Sequence, residues 1–274
     1  MDYQEILEGA ISVAHRAGGM VAQSFPSSAL EQIGFKGAVN PVTETDTTVD
    51  DLIRGYLQDH FPDHRILAEE SGGDAWREAG LPIWLIDPLD GTNNFAHGFP
   101  HVGVSLALVE EQQPVVGVIY DPLRDETFAA VTGSGATLDG ESIHVTNVAE
   151  LSEAFLATGF PYDRRTAQDN NVERLDNFLR RSQGVRRAGA AVLDLAYVAC
   201  GRLDGFWEIR LHPWDVAAGI LIVREAGGAA TDFEGGLDCV SGRRIVASND
   251  HIHEQMLGVI REGADAPLPE PIEA

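Results

Sequence analysis

Apolar residues Ile6, Leu7, Ala10, Ile11, Val13, Ala14, Ala17, Met20 and Val21 recur at the helical period, which predicts a helix over residues 2–24. Gly18 and Gly19 weaken its last turns. A second stripe, Val49, Leu52, Ile53, Tyr56 and Leu57, predicts a helix over 45–60 that ends at Phe61-Pro62. Between them, residues 34–43 read as loop, because Gly34, Gly37, Asn40 and Pro41 break any period. Short apolar runs bounded by turn residues then predict strands at 65–68, 83–87, 102–109, 114–120 and 127–131. Their short polar connections indicate a mostly antiparallel meander, with turn and hairpin material at 133–140. After about residue 150 the texture changes. Strands at 154–158, 185–188, 205–208, 229–233 and 244–248 alternate with helices at 170–181, 192–200, 214–226 and 251–261. Such alternation indicates α/β layering. The Pro- and Glu-rich tail ADAPLPEPIEA reads as disordered. No internal repeat is present.

At 274 residues and 44% hydrophobic content the chain can bury a sizeable core without disulfides, and it is neither fibrous nor unstructured. No apolar run approaches the ~18 residues of a membrane helix. The acidic start MDYQEILEGA lacks a secretion signal, and two cysteines do not make a disulfide framework. A reduced cytoplasmic compartment is the expectation. Charge changes the picture more. Lys+Arg number 19 against 43 Asp+Glu, a net charge of -24. Such a surface repels nucleic-acid phosphates and anionic lipids, so neither nucleic acid nor membrane is an expected partner. The acidity fits life at high salt, where screening relieves self-repulsion, and equally an ordinary acidic cytoplasmic protein. The single lysine is Lys36.

The most informative segment is WLIDPLDGTNNF, residues 84–95. An apolar strand delivers Asp87 at its end, Pro88 forces a turn, and Asp90 folds back onto the same side. Gly91 allows a ligand close to the backbone. Thr92 offers a hydroxyl where a short helix begins, and free N–H groups there suit phosphate. Two carboxylates and the Leu89 carbonyl make an oxygen-rich set suited to Mg²⁺. A plain capped turn is the alternative, since Asp-Pro and Asp-Gly are common turn dipeptides. Upstream, Glu69 and Glu70 follow a short strand. Downstream, Pro213 suits a first helical position and places Asp215 in the first turn, where the dipole favours an anion. Each of these flanking features, taken alone, is also ordinary loop or helix-start chemistry.

Taken together, the acidic pair, DPLDGT and PWD, with Lys36 and Thr45-Asp46 ahead of them, resemble the inositol monophosphatase family of Mg²⁺-dependent, lithium-sensitive phosphatases. The resemblance covers roughly residues 5–262 and includes the segments WLIDPLDGTNNF and WDVAAGILIVREAGG. The stretch from Arg186 to Asp215 is most similar to the bacterial inositol monophosphatase branch. The resemblance implies an α+β fold with α/β character, an αβαβα layered sandwich of the sugar-phosphatase type. It implies an N-terminal half over 1–148, a C-terminal half over 149–264, and a tail over 265–274. It also implies a ligand set: Glu69, Asp87 and the Leu89 carbonyl hold a first Mg²⁺; Asp87, Asp90 and Asp215 hold a second; a third lies near Glu69, with Glu70 behind. By the same resemblance, Gly91 and Thr92 bind phosphate, Asp46 and Thr92 orient the attacking water, and Lys36 sits on a mobile loop beside the site. The turn Gly189-Ala190-Ala191 and Glu208 would contact the alcohol, though Ala190 replaces a small hydroxyl residue common there. Lys36, as the sole lysine, fits a role arginine cannot fill, or survives by chance.

The implied reaction is in-line attack of metal-activated water on a small phosphate monoester, myo-inositol-1-phosphate foremost. Fructose-1,6-bisphosphate, histidinol phosphate, NADP or 3′-phosphoadenosine phosphate are the alternatives, and a non-enzymatic regulatory partner protein is the rival of another class. A homodimer is implied. Other polar groups are expected to be structural: His97 and His101 as loop packing, His251 and His253 as solvated surface, Cys200 as buried and inert, and Cys239 as an unactivated thiol in a glycine-rich turn.

Overall fold

A computed structural model describes residues 2–25, 34–35, 41–42, 44–69, 77 and 80–262. Among them, α1 (Tyr3–Ser24), a short antiparallel pair β1 (Gly34–Phe35) and β2 (Pro41–Val42), and α2 (Glu44–His60) lead into seven strands. These are β3 (Arg65–Ala68), β4 (Ile83–Asp90), β5 (Gly103–Glu110), β6 (Gln113–Asp121), β7 (Glu126–Val131), β8 (Ala136–Leu138) and β9 (Glu141–Ser142), with α3 (Thr92–Ala96) between β4 and β5. They form one sheet in the order of the chain. Pairing is antiparallel throughout except β3 with β4, which is parallel.

The second half contributes β10 (Phe155–Thr158), α4 (Val172–Leu179), β11 (Gly184–Arg186), α5 (Ala191–Ala199), β12 (Gly205–Ile209), α6 (Pro213–Glu225), β13 (Ala229–Thr231), β14 (Arg244–Ser248) and α7 (His253–Glu262). Its sheet runs β11-β10-β12-β14-β13.

Strand alternation explains the layers. Trp84 and Ile86 on β4 point into a core shared with α1 and α2, whereas Ile83 and Leu85 point the other way, onto α5 and α6. On the second sheet, Phe206, Ile245 and Ala247 face that same middle core, while Trp207, Ile209 and Val246 pack with Phe178 of α4 and Met256 and Leu257 of α7. Three apolar cores, the middle one spanning both faces of α5 and α6, therefore join five layers: helices, sheet, helices, sheet, helices. Because α5 and α6 are covered on both sides, their apolar residues surround the helix; Val192, Leu193, Leu195, Ala196 and Val198 are all buried. This is the αβαβα sandwich expected from the sequence.

Several local expectations change. Residues 34–43 contain the β1–β2 pair rather than loop alone. The 133–140 stretch contributes β8. Strand β4 does not stop at Asp87 but continues through Pro88 to Asp90. Its register against β5 gives the reason: Asp87 pairs with Ser105 and Asp90 with Gly103, three steps on one strand against two on the other. Pro88, which has no N–H, falls in this bulge, where the regular ladder is interrupted. His253 is buried rather than solvated, hydrogen-bonded to Thr231 and Ser248 at 2.8 Å each. Cys200 is half-buried, and Cys239 is buried.

Candidate active site

The parallel register of β3 and β4 brings the first acids together. Ala68 lies opposite Ile86, and the Glu69 N–H donates to the Ile86 carbonyl at 3.2 Å, so Glu69 and Asp87 leave the sheet side by side. The bulge then turns the chain. Asp87 Oδ1 accepts from the Leu89 N–H at 3.0 Å. Gly91 (φ +89°) opens α3, and a Cβ there would lie 2.9 Å from the His101 carbonyl, so both conformation and space require glycine. Thr92 Oγ1 lies 3.1 Å from the Leu89 carbonyl and 3.2 Å from Asp46 Oδ1. Its single proton serves one of these acceptors at a time.

The later part of the chain completes the site. Asp90 Oδ2 accepts from the Val192 N–H at the start of α5 at 2.8 Å. Asp215 lies in the first turn of α6, and its Oδ2 accepts from the His212 N–H at 2.7 Å. Glu208 projects from β12 toward the middle layer, its carboxylate over Gly159, where any Cβ would collide with it. The first turns of α2, α3, α5 and α6 thus all supply groups to one place, and their dipoles add positive potential there.

These residues line a pocket of about 460 Å³. Glu69, Asp87, Leu89, Asp90, Gly91, Thr92, Gly189, Ala191, Glu208 and Asp215 all face it. Asp46 stands behind Thr92, almost fully buried. Ala190 is fully buried behind Gly91 and is not part of the pocket wall. Lys36 and Glu70 lie outside the described residues. A larger cavity of about 640 Å³ adjoins the site, lined by Phe99, Phe155, Tyr197 and several arginines; it lacks the carboxylate cluster.

Electrostatics set the chemistry. Burial pushes the Asp87 carboxyl far above its ordinary range, and Glu69, Asp90 and Asp215 push it further. Burial raises Asp90 to about 7, against the hydrogen bond from Val192 that favours its charged form. Asp215 is raised by burial, then by Asp90 and Glu69, and approaches Asp87 as a hydrogen-bonding partner. Glu208 is raised by burial, next by Asp194, with Arg187 opposing. Among the described residues, no three of these acids already stand at the spacing of a closed ion cage. Their donor set nevertheless fits a hard divalent cation: it is all oxygen, it pairs carboxylates with a main-chain carbonyl, and its mutual repulsion is what a cation removes.

The profile of the Inositol monophosphatase family matches residues 2–264. The chain belongs to this family. An inositol-1-monophosphatase from Synechocystis sp. is 45% identical over 258 residues, covering 93% of this chain and 88% of that protein. A Pseudomonas aeruginosa protein named Nus factor SuhB is 40% identical, over 94% and 96% of the two chains. The solved inositol monophosphatase from Anabaena sp. superposes with a TM-score of 0.86 at 39% identity, covering 98% of each chain. This family member is accordingly a phosphatase with the family's layered fold.

Sequence reasoning missed groups that brace the pocket and groups that line it. Asn94, inside the quoted motif, donates to the carbonyls of His101 (2.8 Å), Ala188 (3.0 Å) and Gly189 (3.2 Å), tying the α3 turn to the turn before α5. Its place two residues after Thr92 was the only available signal. Tyr162, at the start of the polar stretch 162–171, and Arg187 line the pocket. Trp214 is buried yet forms part of the pocket wall.

Proposed function

We propose that this phosphatase hydrolyses small phosphate monoesters of polyols, with myo-inositol-1-phosphate as the leading substrate. One observation carries the reading: Glu69, Asp87, Asp90 and Asp215 meet in one pocket beside the Thr92–Asp46 pair. Glu69, Asp87 and the Leu89 carbonyl would hold one Mg²⁺, and Asp87, Asp90 and Asp215 a second, with a third near Glu69. Bound there, the cations would neutralise phosphoryl oxygens and lower the pKa of water.

The chain's own groups do the rest. Gly91 and the start of α3 present backbone N–H groups to the phosphate. Thr92, held by Asp46, orients the attacking water and can pass its proton toward that buried carboxylate. Glu208 accepts from neighbouring hydroxyls of the alcohol, and the turn at 189–191 shapes the wall beside it. The pocket takes lining residues from both proposed halves, 1–148 and 149–264. A homodimer, lithium sensitivity and a cytoplasmic location complete the reading. No helix among the described residues is long and apolar enough to cross a membrane, and the net charge of -24 opposes nucleic-acid contact.

Turnover of a substrate panel at saturating Mg²⁺ tests this: myo-inositol-1-phosphate, fructose-1,6-bisphosphate, histidinol phosphate, NADP and 3′-phosphoadenosine phosphate. A clear preference for inositol phosphate supports it, and undiminished turnover in chelator overturns it. Relatives named Nus factor keep a second, regulatory reading in view. A variant that loses turnover while keeping a regulatory partner bound would separate the two.

A further inference from the structure

Glu208 has no side-chain hydrogen bond or ion pair among the described residues, although it is buried. Its carboxylate is placed instead by the two backbone segments around it. One is its own strand β12, where it follows Trp207. The other is Gly159, just past the end of β10, which lies so close to the carboxylate that a Cβ there would collide with it. The parallel register of β10 and β12 reaches Thr158 opposite Trp207 and goes no further. Beyond that step the two strand ends are joined by side chains.

Asn171 makes that connection. It is buried and stands just before α4 at φ +71°, a conformation asparagine tolerates, yet its side chain does not cap its own helix. Its amide donates to the Gly159 carbonyl at 2.8 Å and to Thr158 Oγ1 at 2.9 Å, and its oxygen accepts from Trp207 Nε1 at 2.9 Å. Thr158 Oγ1 in turn donates at 2.7 Å to the Trp207 carbonyl, the carbonyl of the peptide bond leading into Glu208. The indole only donates and the Gly159 carbonyl only accepts, so the ring of bonds has one direction and fixes how the amide points. A buried polar network of this kind is rigid when fully paired and costly when half-made. Gly159, Phe160, Pro161 and Tyr162 line the pocket, so Asn171 anchors this part of the wall at its base.

We propose that Asn171 is a positioning residue for recognition of the alcohol: by locking Gly159 to the Trp207–Glu208 peptide, it sets the Glu208 carboxylate against the pocket wall. This rests on the reading of Glu208 as the hydroxyl acceptor for a polyol phosphate. Asn171 itself is not part of the pocket wall. The carboxylates of the cation site and the Gly91–Thr92 turn make no bond to this ring. Its loss is therefore felt by the alcohol and not by the phosphate, whereas a purely structural asparagine would weaken every substrate alike.

The test follows kcat/KM for myo-inositol-1-phosphate relative to p-nitrophenyl phosphate, whose leaving group carries no free hydroxyl for Glu208. The wild type is compared with N171D, T158V, T158S, E208A and the double variant N171D/E208A. N171D keeps the size, the backbone preference and the acceptor for Trp207, but sets an oxygen against the Gly159 and Thr158 oxygens. T158V keeps the shape and removes the hydroxyl; it carries the test where N171D is too unstable to purify. The ratio should fall about tenfold in N171D and in T158V, the scale of one hydrogen bond to a charged group. The fall should come through KM for the inositol ester, and T158S should restore the wild-type ratio. E208A should lower the ratio by itself, and N171D should lower it no further in that background, because the two act through one group. An undiminished N171D effect without Glu208 overturns the positioning role. If E208A lowers the ratio while N171D and T158V leave it unchanged, the role of Asn171 alone is overturned. If E208A leaves the ratio unchanged, the polyol reading of Glu208 is overturned, and the role of Asn171 with it.

Discussion

Asp90 Oδ2 accepts the backbone N–H of Val192 at 2.8 Å, joining the end of β4 to the first turn of α5 across 102 residues. One carboxylate oxygen is committed to the fold, and the other remains for the pocket. This division predicts different outcomes for two substitutions. Asp90→Asn keeps an oxygen that can accept from Val192 but removes the charge; activity should fall about 10³-fold, because several kcal/mol of charge stabilisation goes with the cation. Its melting temperature in chelator should not fall, since one repelling charge has gone. Asp90→Ala loses the hydrogen bond as well and should cost about 1 kcal/mol more in denaturant unfolding. A fully active Asp90→Asn enzyme would remove this acid from the cation site.

Thr92 supplies a hydroxyl between Asp46 and the Leu89 carbonyl, in a buried position. Thr92→Ser should retain most activity. Thr92→Val keeps the shape but not the proton, and kcat should drop about 10²-fold, the scale of losing a positioned proton-transfer group. Steady-state kinetics of the pair checks this; equal activity of the two variants would exclude the hydroxyl from catalysis.

Cation binding should also register as stability. At 100 times its dissociation constant, Mg²⁺ should stabilise the chain by about 2.7 kcal/mol through mass action alone. Asp87→Asn should abolish most of that gain, because Asp87 faces Glu69, Asp90 and Asp215 together. Thermal melts with and without chelator measure it. Lithium should inhibit turnover, and inhibition assays at fixed Mg²⁺ are the direct check.

His253 predicts a pH effect away from the site. It is buried between Thr231 and Ser248, and burial lowers its pKa below the ordinary 6.5. Its contribution to stability is therefore complete above pH 6.5 and is lost as pH falls through the lower folded value. The raised carboxyl of Asp90 acts with opposite sign, gaining stability as pH falls through about 7. Comparison with His253→Gln isolates the histidine: between pH 7.5 and 5 the wild type should lose more stability than the variant. Parallel curves would refute it.

The chain's own pattern marked the helices, the meander and the α/β layering, while the five-layer order was legible through the family resemblance. Period-2 alternation on β4 and β12 sends neighbouring side chains into different cores, and the all-round apolar character of α5 and α6 requires cover on both sides. Asp87, Leu89, Asp90, Gly91 and Thr92 were legible because one turn holds them all, so their chemistry is local. Asp215 and Glu208 were legible only through family resemblance; each alone is an ordinary acid at a helix or strand end. What tertiary structure decided was non-local. The bulge carrying β4 through Pro88 depends on its register with β5. The burial of His253 depends on Thr231 and Ser248, and the pairing of Thr92 with Asp46 spans 46 residues. The bonds from Asn171 to Gly159, Thr158 and Trp207 span 12, 13 and 36 residues. A sequence dictates which groups are available and which faces are apolar; partners brought together by sheet register and helix packing exist only once the chain has closed on itself.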